Sequence, residues 1–163
     1  MQDADHAFNE LTGELDYSML IVTAAAAGHR AGCLVGFATQ CSVDPPRYLV
    51  CLSRKNRTFR VAQHSDGLIV HFPSSQQSRL VELFGGETGD EVDKFAHCSW
   101  HDGPLGVPLL EDCPRWFAGT VQDRIALGDH VGFVLAPIAA ASGGYGGSFL
   151  FHRAKRVDAG HAV

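Results

Sequence analysis

Short apolar runs, separated by glycine- and proline-rich punctuation, dominate the chain. Met19-Leu20-Ile21-Val22-Thr23 is continuous, apolar and partly β-branched, and it predicts a strand entering a core. Alanines 24–27 carry no clear preference, and Gly28-His29-Arg30 supplies a turn. A second strand is predicted from Gly32 to Phe37, with a looser segment through Ser42 that Asp44-Pro45-Pro46 ends. Tyr48 to Leu52, Leu68 to Phe72, Trp116 to Val121, His130 to Leu135 and Ser148 to Phe151 read as further strands. Helical spacing occurs in residues 6–16, where Phe8, Leu11 and Leu15 share a face, and in residues 76–84, where Leu80, Leu83 and Phe84 do. A short helix carrying Phe59, Val61 and Ala62 is predicted behind a Thr58 cap. Residues 87–115 are irregular and polar, with Phe95, Trp100, Leu105 and Leu109-Leu110 as anchors, and the last ten residues read as a polar tail.

About six or seven short strands with two or three short helices, lacking βαβ alternation, predict a mainly β fold. The expected form is a closed or nearly closed antiparallel barrel with rim helices rather than a doubly wound sheet. The length of 163 residues suits one domain spanning 1–163. Thirteen basic against eighteen acidic residues give a net charge of −5, which argues against a nonspecific grip on nucleic acid. The opening MQDADHAFNE has no basic region followed by an apolar run, and no apolar stretch approaches the roughly 20 residues of a membrane span. A cytoplasmic protein away from the membrane is the expectation. Five cysteines, at 33, 41, 51, 98 and 113, form no CxxC pair and predict reduced, mostly buried thiols. His97, Cys98, His101 and Cys113 lack the paired spacing of a zinc site, so no metal is expected. Gly143-Gly144-Tyr145-Gly146-Gly147 has neither a Walker A lysine nor a G-x-G-x-x-G register and reads as a connection or a loop near a ligand.

No G-x-S-x-G elbow, H-E-x-x-H motif or carboxylate pair in apolar surroundings is present. Three features remain as candidate chemistry: the glycine- and hydroxyl-bearing segment 32–42, the basic turn Ser53-Arg54-Lys55-Asn56-Arg57-Thr58, and Gly128-Asp129-His130 before an apolar strand. Backbone amides near a helix start, with Asn56, Thr58 and nearby cations, can seat one phosphate. Glycines 32 and 36 let a flat ring approach the main chain. The residues alone leave both alternatives open at each place: a solvated turn or an anion seat, a strand-edge histidine or a site residue. They lead to a barrel-like domain suited to a small phosphorylated ligand.

The segment Ala31-Gly32-Cys33-Leu34-Val35-Gly36-Phe37-Ala38-Thr39-Gln40-Cys41-Ser42-Val43-Asp44-Pro45-Pro46 resembles the signature of the flavin reductase-like, FMN-binding split-barrel family. Asn56-Arg57-Thr58, Cys113 and Gly128-Asp129-His130 look like its later landmarks, so the resemblance runs over about residues 11–153. It implies a split β-barrel homodimer that transfers a hydride from NADH or NADPH to FMN, with a monooxygenase as a partner for the reduced flavin. By the resemblance, Val35, Gly36 and Phe37 line the isoalloxazine ring, Thr39 and Gln40 border the groove, and Cys51, Leu52 and Ser53 run beside the flavin. Asn56 and Thr58 hold the phosphate, Arg57 adds charge, and His130 stands at the mouth near the nicotinamide face. Leu34 and Gly36 stand where relatives commonly carry hydrogen-bonding side chains. Losing two such bonds, each about 0.5–1.5 kcal/mol, weakens flavin binding about tenfold or more. The alternative that this departure implies is a flavin- or haem-binding split-barrel protein without NAD(P)H oxidase activity.

Overall fold

The computed structural model describes residues 1, 3–86 and 89–156. Nine strands and four α-helices follow one another as α1 (Ala4–Gly13), β1 (Leu20–Ala26), β2 (His29–Val35), β3 (Ala38–Ser42), β4 (Arg47–Ser53), α2 (Arg57–Ala62), β5 (Gly67–His71), α3 (Ser78–Gly86), β6 (Trp100–Asp102), β7 (Pro108–Leu110), β8 (Trp116–Ala126), β9 (His130–Ala141) and α4 (Phe151–Ala154). Seven of the strands form one sheet in the order β2-β1-β5-β8-β9-β4-β3, with every pairing antiparallel.

The two edge strands, β2 and β3, are joined by only Gly36 and Phe37. The chain therefore crosses from one edge of the sheet to the other in two residues, which curls the sheet into a barrel left open between its edges. This is the split barrel that the family resemblance implies, where the strand pattern alone predicts a closed or nearly closed barrel. Its interior is filled at alternate positions, by Leu20, Val22 and Ala24 of β1, Val50 and Leu52 of β4, Leu68 and Val70 of β5, and Phe133 and Leu135 of β9. The opposite face of β1 is covered too: Ile21 packs with Leu80 and Phe84 of α3, Phe95 and Leu110. A strand buried on both faces reads as a continuous apolar run, which is the pattern of residues 19–23.

Several boundaries differ from the sequence reading. The β1–β2 turn is Ala27-Gly28, both at positive φ, so β2 starts at His29 rather than Gly32. β8 and β9 form a hairpin longer than the sequence reading: β8 runs on to Ala126 through the exposed residues 122–126, and at the other end β9 runs on to Ala141 through the alanine-rich residues 136–141. Ser148 to Phe151 is not a strand: Ser148 and Leu150 make single bridges to Ser74 and Ser18, and α4 begins at Phe151. Residues 100–110 hold the small β6–β7 pair, and Leu105, expected as an anchor, is half exposed. Ala154 of the expected tail is buried in α4, and residues 157–163 of that tail lie outside the described residues. The apolar face of α1 meets no core: Phe8, Leu11 and Leu15 are all exposed.

Two buried polar side chains fasten the outer layer. Lys94 donates to Gly32 O (3.1 Å) and Phe84 O (2.9 Å), linking edge strand β2 to the last turn of α3. The His71 ring lies fully buried, with Nδ1 3.0 Å from Ile21 O and Nε2 accepting from Leu110 N–H at 3.1 Å. That arrangement fixes the neutral tautomer with its proton on Nδ1. Burial lowers the pKa of the imidazole to about 4.

Candidate functional site

A cavity of about 330 Å³ opens at the split of the barrel, at the lower end of the size range of small-molecule sites. It is built where four pieces of backbone meet: the end of β2, the Gly36-Phe37 crossing, the end of β4 and the start of β9. Sheet register sets part of this. Ser53 of β4 is paired directly with His130 of β9, and Cys51 with Gly132. Cys51 N–H donates to Phe37 O at 2.9 Å, which anchors the crossing to β4. His130 follows a hairpin turn in which Gly128 takes φ +123°, a conformation that glycine accepts and other residues resist. Arg54 holds that turn in place, with its backbone N–H on Asp129 O and its Nε on Gly128 O, both at 2.9 Å.

Phe37 and His130 form an aromatic pair, with ring centroids 5.1 Å apart and planes tilted by 51°. His130 Nδ1 lies 2.7 Å from Asp129 Oδ1. This contact fixes the ring's orientation and leaves Nε2 as the nitrogen not engaged by Asp129. The imidazole beside it holds the Asp129 carboxyl below the usual carboxylate range. Opposite stands a second aromatic pair, Tyr17 and Phe151, stacked with centroids 4.8 Å apart. A Cβ placed on Gly36 would lie 2.9 Å from the Tyr17 ring, so Gly36 stands between the two pairs. The Cys33 and Cys51 thiols also line the cavity, and burial raises the pKa of both. They are therefore protonated at neutral pH and poor nucleophiles.

Of the residues picked out by the sequence, Val35, Gly36, Phe37, Cys51, Leu52, Ser53, Asn56 and His130 line this cavity together. Thr39, Gln40, Arg57 and Thr58 do not. Thr39 and Gln40 sit on β3, exposed, bonded to backbone carbonyls of their own strand. Arg57 lines a neighbouring cleft with Gly89 and Asp90. Thr58 is only 1% exposed, with its hydroxyl beside the buried Cys33 thiol. The helix cap expected of Thr58 is supplied by Asn56, whose Oδ1 accepts from Thr58 N–H at 2.8 Å. The room beside glycines 32 and 36 is also taken. Phe84 fills it at Gly32, and Tyr17 with Met19 fills it at Gly36.

Sequence reading missed Tyr17, Met19, Phe84, Gly85, Phe151, Ala154 and Lys155 as cavity residues. They come from segments distant in sequence from the motif, and no local pattern signalled them. The other expected features lie elsewhere. The loop at 143–147 lines none of this cavity and is tied to Ser75 through Gly146 O and Gly147 O. His101 pairs with Glu111, and burial pushes the Cys113 thiol up to about 11. Among the described residues, no group of three His, Cys, Asp or Glu converges as a metal site. No helix among them is long and apolar enough to cross a membrane.

Comparison with known proteins bears on the family and the fold. A probable flavin reductase of Rhizobium meliloti is 31% identical over 126 residues, 77% of this chain and 40% of the relative. An FMN reductase (NADH) of Acinetobacter baylyi is 28% identical over 130 residues, 80% of this chain and 69% of the relative. The reductase component of a 4-hydroxyphenylacetate 3-monooxygenase of Salmonella typhimurium is 27% identical over 132 residues, 79% and 76% of the two chains. The chain thus spans less than half the length of the Rhizobium relative and about seven-tenths or more of the other two. A solved flavin reductase domain protein from Arthrobacter sp. FB24 shares the fold, with a TM-score of 0.83, 21% identity and coverage of 98% of this chain and 96% of that one. Residues 12–159 match the family described as flavin reductase like domain, and the chain belongs to that family.

Proposed function

We propose that this chain is an NAD(P)H:flavin oxidoreductase that takes a hydride from a nicotinamide and delivers it to FMN, with NADH as the donor. The observation that carries the reading is the cavity at the barrel's split, apolar, flanked by aromatic pairs and edged by main chain from β2, β4 and the crossing between β2 and β3. Bound flavin supplies the redox chemistry through its isoalloxazine ring. The protein's part is orientation. Phe37 and His130 offer a face for a flat ring, beside the main chain of residues 35–37 and 51–53. His130 Nε2 orients the nicotinamide carboxamide in this reading. Both lining thiols are protonated and no general base is required, which suits hydride transfer between two stacked rings.

The phosphate of FMN is assigned to the Ser53–Asn56 turn. Thr58 is retained as a buried support of that turn and Arg57 as a nearby charge, not as direct contacts. Apolar Leu34 and Gly36 in the lining favour weak flavin binding and release of reduced flavin to a separate monooxygenase, a reading supported by the Salmonella relative's name as the reductase component of a monooxygenase. Residues 1–163 act in this reading as one cytoplasmic domain with its core at about 11–153. The domain pairs as a homodimer, which would give the exposed Phe8, Leu11 and Leu15 a partner surface. Sedimentation at micromolar concentration tests the dimer, and a monomer there refutes it.

Titration with FMN and riboflavin tests the ligand. FMN is expected to bind at least tenfold more tightly, and Asn56→Ala to remove about 1–3 kcal/mol of that preference while leaving riboflavin affinity nearly unchanged. Equal binding of riboflavin and FMN by the wild type would place the phosphate elsewhere.

A further inference from the structure

Among the described residues, no carboxylate lines the cavity, and besides the His130 imidazole its lining holds one cationic residue, Lys155. Of the other basic groups nearby, Lys55 lies beside Asp129, outside the lining, and three are held by other contacts. Arg54 is bound to Gly128 O, Arg57 faces the Asp90 cleft, and Lys94 is buried against Gly32 O and Phe84 O. Lys155 is exposed and enters no ion pair or side-chain hydrogen bond among the described residues.

Its backbone is nevertheless held firmly. Lys155 N–H donates to Phe151 O at 2.9 Å, and Phe151 N–H donates to Tyr17 O at 2.8 Å. Phe151 stacks on Tyr17, and the neighbouring Ala154 is 4% exposed in the cluster with Met19 and Val81. Lys155 thus belongs to the Tyr17–Phe151 wall, whereas Ser53, Asn56 and His130 belong to the wall of Phe37. Gly36 touches Tyr17 and Phe37 pairs with His130, so the crossing peptide divides the two. A cation rooted at an apolar cavity, with no carboxylate among the described lining residues, attracts an anionic group there.

We propose that Lys155 is a substrate-positioning residue that holds the pyrophosphate of the pyridine nucleotide, while the flavin phosphate uses the Ser53–Asn56 turn on the other wall. This assignment rests on the reductase reading above. It gives the two phosphorylated substrates separate anion seats and explains how one small cavity orders both.

Lys155→Met and Lys155→Arg test it through three readouts. In steady state, Lys155→Met is expected to raise the KM for NADH about tenfold with kcat within about twofold, and Lys155→Arg to retain most of the affinity. With N-benzyl-1,4-dihydronicotinamide, a donor lacking any phosphate, kcat/KM is expected to be the same in wild type and both variants. Equilibrium dialysis of ADP-ribose against flavin-free protein, which needs no turnover, is expected to show a similar tenfold loss in Lys155→Met alone. Unchanged NADH KM and ADP-ribose affinity in Lys155→Met would overturn the proposal. So would a loss of affinity for FMN but not riboflavin, which would give Lys155 to the flavin phosphate. If wild-type protein oxidises no NADH, the reductase reading falls, and the ADP-ribose comparison still decides for or against Lys155 as a nucleotide-phosphate site.

Discussion

The free energy of unfolding is expected to fall by about 3 kcal/mol as pH drops from about 7 to about 4, because of His71 alone. The imidazole has a pKa of about 4 in the folded chain and near 6.5 when exposed. Between these values the unfolded state binds the proton and the folded state does not. Stability is therefore complete above the unfolded value and is lost as pH falls towards the folded one. The structural cause is explicit. Protonation would put a second N–H on Nε2, facing the Leu110 N–H that it now accepts, inside a cluster without water access. Urea melts at a series of pH values measure the effect. His71→Leu leaves Ile21 O and Leu110 N without their partner, so it should start about 2–4 kcal/mol less stable. It should also lack most of the acid-dependent loss across this window. A wild type and variant with parallel pH profiles would exclude His71 as the titrating group.

The second large effect concerns the aromatic pair at the mouth of the cavity. His130→Ala is expected to slow hydride transfer by about 10–100-fold, the scale on which misorientation of reacting groups acts. FMN affinity should change by no more than about threefold, because the flavin's peptide contacts and the Ser53–Asn56 turn are untouched. Phe37→Ala removes the ring paired with His130 and should weaken both FMN affinity and rate. Pre-steady-state reduction, followed with FMN at saturation, separates the two variants. A His130→Ala protein with wild-type hydride transfer would leave the imidazole a passive part of the strand's start.

Much of the barrel was legible in the sequence because its strands are short, apolar and bounded by residues that stop them. β4 follows Pro45-Pro46 and was read to within a residue at each end, since prolines and a basic turn enclose it. β5 and the inner half of β9 were read for the same reason. The remaining halves of β8 and β9 were not, because residues 122–126 are exposed with no alternation and residues 136–141 are mostly alanine with a proline, a composition without strand preference. The site was legible wherever one continuous segment builds it, as Val35 to Phe37 and Cys51 to Asn56 do. Thr39, Gln40, Arg57 and Thr58 misled because a motif gives proximity along the chain, not direction. One residue past the crossing, β3 turns away into its pairing with β4. The α2 helix likewise carries Thr58 inward and Arg57 to another cleft. Lys155 was illegible in principle. It reaches the cavity only because Phe151 stacks on Tyr17, a contact across more than 130 residues that no local pattern encodes.

Anaerobic stopped-flow mixing of the FMN-loaded protein with NADH tests the proposed activity most directly, with flavin absorbance followed through the first turnover. Bleaching of the oxidised flavin band in a single exponential, at a rate that saturates with NADH and is slowed in His130→Ala, is the expected result. FMN that binds at the split of the barrel yet stays oxidised with both NADH and NADPH would contradict the assignment and leave a flavin-binding protein without reductase activity.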